Sequence, residues 1–138
     1  MSARIPATLL GVALAGFAGT AIAAQEVDLG QQEFMAKCAI CHGKTGQGDG
    51  LELLIKAPSD LTVLKRNNGG IFPLAKVYEV IDGRDNLLVH GTRDMPIWGR
   101  EYSVEAANYY IDSFDYDSSQ YVRTRILALI DFVYRIQK

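Results

Sequence analysis

Both cysteines of this chain and one of its two histidines fall within the six residues "CAICHG", Cys38 to Gly43. Two thiols three positions apart stand about one helical turn from each other, and an imidazole follows the second directly. Structural zinc, a redox dithiol, a disulfide and covalent haem all use such a pair, and each makes a different demand on the rest of the chain. A closed zinc site takes four ligands, commonly Cys or His in two pairs. Beyond Cys38, Cys41 and His42 this chain offers only His90. A thioredoxin-like dithiol follows a strand in a βαβ setting, and no alternating run here is long enough to found a sheet. A disulfide across two residues closes a very small loop, adds little stability and leaves His42 without a role. Covalent haem employs all three residues. Each thiol adds to a vinyl group of the porphyrin, and His42 reaches the iron as proximal ligand.

A second axial ligand must then come from elsewhere in the sequence. Met1 belongs to the leader, and Met35 lies one turn before Cys38, on the proximal side. Met95 sits in "DMPIWG", far enough along the chain for its loop to cross to the opposite face. Pro96 stiffens that loop, and Trp98 is large enough to pack beside the cofactor. Met95 is the expected sixth ligand, and His90, five residues earlier, is the alternative.

The elements that must position these groups are short. The chain of 138 residues is sized for one domain. It opens with Arg4, an apolar Ala/Gly/Leu-rich run and the small-residue ending "AIA" at 21 to 23, the pattern of a secretory signal peptide. Residues 1–23 are therefore expected to be removed, an uncleaved membrane anchor being the alternative, and 24–138 to form the domain. Arg4 is the one charge in the leader, so the remainder carries 13 basic and 16 acidic residues. With no basic stripe it is not built for nucleic acid. Membrane association is expected only through partners or an uncleaved leader.

A helix is expected over Leu29–Lys37 with Asp28 as N-cap. "GKTGQGDG", with four glycines in eight residues, stops it. Ser59 or Asp60 can cap a short helix through Lys65. "FPLAKVYEVIDGR", 72 to 84, reads as a helix between Pro73 and a Gly83 C-cap, with Leu74, Val77, Tyr78 and Ile81 on one face. The tail "YVRTRILALIDFVYRIQK" has the clearest stripe: Val122, Ile126, Leu129, Ile130 and Val133. "NLLVHGTRDMPIWGREY" and the acidic stretch from Glu101 to Gln120 read as loop. The class is all-α, with short helices and long loops that make sense if they wrap something.

With these motifs in view, the sequence resembles class I cytochrome c across Gly30 to Gly99 and the last helix. "CAICH", "GKTGQGDG", Gly30, Phe34 and "LIDFV" at 129 to 133 carry the likeness. The resemblance implies a cytochrome c fold around one covalently bound haem c, with the last helix crossing at Gly30 and Phe132 meeting Gly30 and Phe34. It implies that Pro58 lends a backbone carbonyl to His42, and that Arg84 and Trp98 stand near the haem propionates. The function implied is a periplasmic one-electron carrier with His42/Met95 ligation, not an enzyme, exchanging electrons with redox proteins. A cytochrome subunit of a larger membrane or periplasmic oxidoreductase is the first alternative, and a five-coordinate peroxidase or gas sensor the second. The stretch from Glu101 to Gln120 exceeds what the family needs, and is either a docking surface or a solvated loop.

Overall fold

A computed structural model describes residues 26–51, 57–84, 95–111 and 117–138. The leader with its cleavage site and His90 lie outside the described residues, as does the centre of the acidic stretch, 112 to 116. Among the described residues every regular element is helical, and no helix is long and apolar enough to cross a membrane. Helix α1 (Leu29–Glu33) runs through a π-helical stretch, Phe34–Cys38, into α2 (Ala39–His42). A 3₁₀ turn (Leu61–Val63) leads into α3 (Leu64–Asn67), followed by α4 (Leu74–Asp82), α5 (Trp98–Tyr109) and α6 (Ser118–Arg135).

Local chemistry explains where several of these start and stop. Asp28 caps α1 by accepting from the Gln31 amide at 2.9 Å, and that bond, with Arg135 beside it, holds its carboxyl below the usual range. Asp60, the second of the two expected caps, accepts from the Thr62 amide at 2.8 Å. Helix α4 begins just after Pro73 and ends at Gly83, which takes the left-handed conformation expected of a C-cap. Asp117 starts α6 by accepting from the Ser119 amide at 2.9 Å.

Helix α6 is the axle of the molecule, packing against α1, α4 and α5. Its five expected core positions are all buried, and Phe132 joins them. The closest approach is at Gly30, where a Cβ would collide with the carbonyl oxygen of Ala128 and stand 3.0 Å from Cβ of Phe132. Only glycine lets the two backbones meet there. Phe34 is fully buried in the angle, its ring centroid 4.8 Å from that of Phe132. The contact implied at Gly30, Phe34 and Phe132 is therefore present.

Helix α5 corrects the loop reading of residues 98 to 109. Trp98, Tyr102 and Ala106 recur every fourth residue and face inward, with Tyr102 and Ala106 fully buried. The stripe is narrow, and alanine supplies a third of it, so the local pattern is weak. Packing on α4 and α6 supplies what propensity does not. Residues 101 to 109 of the supposed insertion thus belong to a helix packed on the core through Tyr102 and Ala106.

Candidate functional site

The motif helix is wound in two ways. Between Phe34 and Cys38 it widens to π geometry, then tightens to α over Ala39–His42. Such bulges inside α-helices occur frequently at functional sites. The last carbonyls of the motif are taken up by the glycine loop: Gly43 N–H donates to Ala39 O at 2.9 Å, Gly48 to His42 O at 2.8 Å and Gly50 to Cys41 O at 3.2 Å. Gly48 has φ +84° and lies so close to Pro58 that a Cβ would collide with its carbonyl oxygen. A glycine is needed there on both counts.

His42 Nδ1 lies 3.1 Å from the carbonyl oxygen of Ser59. A carbonyl can only accept, so Nδ1 carries the proton and the lone pair stands on Nε2. The accepting carbonyl is expected from Pro58; it is that of Ser59, while the Pro58 carbonyl faces Gly48. The turn that presents Ser59 is itself pinned. Leu61 N–H donates to Gly46 O at 2.7 Å, Gln137 Nε2 donates to Leu61 O at 2.6 Å, and Lys138 N–H donates to Thr62 O at 2.9 Å. The C-terminus thereby locks the segment that holds the imidazole.

Both thiols are free, Cys38 buried and Cys41 half-buried. Burial, followed by the charge of Glu33, pushes the Cys38 thiol up to about 12. An attacking dithiol needs the opposite shift, and among the described residues no strand precedes the pair. Among the described residues no group of three or more His, Cys, Asp or Glu gathers to hold a metal ion. A groove of about 490 Å³ runs along the outer side of the motif loop, from Ala39 to Leu51, and neither thiol nor the imidazole lines it.

The remaining expected residues are distributed as follows. Met95 and Trp98 are half-buried and pack against the same hydrophobic core as Cys38. Arg84 is bound to the buried Asp82, Nε to Oδ1 at 2.6 Å, and Gly99 at the start of α5 fits closely over that pair.

Beside the motif lies a cluster that sequence reading missed. Glu33 is buried, accepts from Tyr102 OH at 2.9 Å and pairs with Arg125. Lys37 stands 3.8 Å from Glu33, pairs with Glu105, and lies 4.4 Å from the ring centroid of Tyr102 and 5.7 Å from that of Trp98. Burial and then the bond to Glu33 raise the Tyr102 phenol far above its ordinary value, so it remains a donor. The one local hint is the i,i+4 pair Glu33–Lys37, which reads equally well as a solvated helix face. None of the protein-family models, curated proteins or solved structures compared with this chain matches it.

Proposed function

We propose that this chain is an exported one-electron carrier of the class I cytochrome c type. One haem c is bound through Cys38 and Cys41, with His42 and Met95 as axial ligands. The observation that carries the reading is the state of the motif. Two free thiols one turn apart are followed by an imidazole whose Nδ1 is engaged by Ser59 and whose Nε2 is left to coordinate. Cys38, Met95 and Trp98 share one apolar core, which is the kind of surround such a group would take. Of the expected α4 stripe, Ile81 is 7% exposed and buried in the core, whereas Leu74, at the first turn, is 52% exposed. The crossing of α1 by α6 at Gly30 supports the same family.

A haem held there supplies a reversible one-electron iron couple. The Ser59 carbonyl fixes the His42 ring and makes it a stronger donor, the usual arrangement for a ligating histidine. The Met95 thioether, seated on the core, would be a soft ligand that favours the reduced metal and raises the potential. The apolar core that Cys38 joins, with Phe34, Ile126 and Leu129 in it, would exclude water and disfavour the more highly charged oxidised form. With His42 and Met95 both bound to the iron, small molecules would be kept from it. The protein is then a carrier serving redox partners in the periplasm through small, transient contacts.

An optical redox titration tests this. The purified protein should show low-spin haem c in both oxidation states, titrate as a single one-electron couple, and bind carbon monoxide only slowly when reduced. Rapid carbon monoxide binding by the wild type would replace the carrier with a five-coordinate sensor or peroxidase.

A further inference from the structure

We propose that Glu33 and Arg125 act as fixed charges of opposite sign that set the reduction potential of the group attached at Cys38. The inference rests on the haem reading above and goes beyond its ligands. Glu33 ends α1, five residues before Cys38 across the π-helical stretch. Its carboxylate is held from three directions: by Tyr102 of α5, by Arg125 of α6 and by Lys37 of its own helix. Lys37 is shared with Glu105 and covered by the rings of Tyr102 and Trp98. At the Cys38 sulfur the Glu33 charge is the largest influence after burial and Lys37 opposes it; Arg125 acts there through its pairing with Glu33.

Stability alone does not account for the cluster. Buried ion pairs are often no more stabilising than apolar side chains of the same volume, and α1, α5 and α6 already share an extensive apolar core. A charge held in a partly buried site is screened much less than one in open solvent and so acts on its neighbours. The oxidised group carries one more positive charge than the reduced one. Glu33 therefore favours the oxidised form and lowers the potential, whereas Arg125 favours the reduced form and raises it.

The test is potentiometric titration of purified holoproteins carrying Glu33→Gln, Arg125→Gln or both. The Met-to-iron charge-transfer band is recorded alongside, to establish that the ligands are unchanged. Glu33→Gln should raise the potential, Arg125→Gln should lower it, and the double variant should lie between them. A merely structural role predicts something else, because loosening the core admits water and lowers the potential in both. Shifts of the same sign, or no shift, with the band intact would overturn the proposal. If Glu33→Gln does not accumulate, the double variant is compared with Arg125→Gln. A higher potential in the double supports the proposal, and an equal or lower one overturns it. A wild type that holds no covalent haem would remove both this proposal and the reading beneath it.

Discussion

Gly30→Val should cost about 3 kcal/mol or more of folding stability, read as a fall in the denaturant midpoint or Tm. The added Cβ meets the Ala128 carbonyl oxygen and Phe132 Cβ. Both atoms belong to or adjoin the α6 backbone, so no flexible side chain can yield. Helix α1 must move away from α6 as a body, and the Phe34–Phe132 contact opens with it. Overpacking of a closed core ordinarily costs about 1–3 kcal/mol. Loss of contacts around the fully buried Phe34 adds to that, full truncation of such a side chain costing about 3–5 kcal/mol. A Gly30→Val protein within about 0.5 kcal/mol of wild type, the range of an ordinary surface change, would mean that the two helices do not cross as described.

Met95→Ala carries the largest functional effect on the proposed reading. Removing the thioether should, on that reading, open the sixth position of the iron. The weak far-red charge-transfer band of Met-ligated ferric haem should vanish, and carbon monoxide and azide should bind. The potential should fall by at least about 60 mV, a tenfold change in a one-electron equilibrium. Alanine also leaves a gap where Met95 packed on the core, so a moderate loss of stability accompanies these changes. His90→Ala should leave band, ligand binding and potential as they were. The reverse pattern, with Met95→Ala silent and His90→Ala altering all three, would make the protein a bis-histidine cytochrome of lower potential.

What the sequence made legible was whatever is encoded over a few neighbouring residues. Asp28, Asp60 and Gly83 act through bonds to amides or carbonyls within four residues, and each performs the capping role its position suggests. The α6 stripe is long and regular, so its five core positions could be listed in advance. Phe132 against Phe34 is a contact between distant segments, and it was reached through family resemblance, since nothing in either segment names the other. Helix α5 fell below notice because its inward face is one tryptophan, one tyrosine and one alanine among charged neighbours. The His42 partner was displaced by one residue because the glycine loop and the Asp60-capped turn together decide which carbonyl faces the ring. Glu33, Tyr102 and Arg125 come from three separate helices and meet only in the fold. No local pattern distinguishes such a buried carboxylate from the exposed glutamates along the same chain.

Covalent attachment is the central claim, because every later step depends on the cofactor being held at Cys38 and Cys41. The most direct measurement is intact mass of the purified native protein after acid–acetone extraction, a treatment that removes haem bound only through its iron. The wild-type polypeptide should keep the mass of one haem, and a double Cys38→Ala, Cys41→Ala variant should keep none. A wild-type mass equal to the bare polypeptide, with haem released into the acetone or none present, would contradict it.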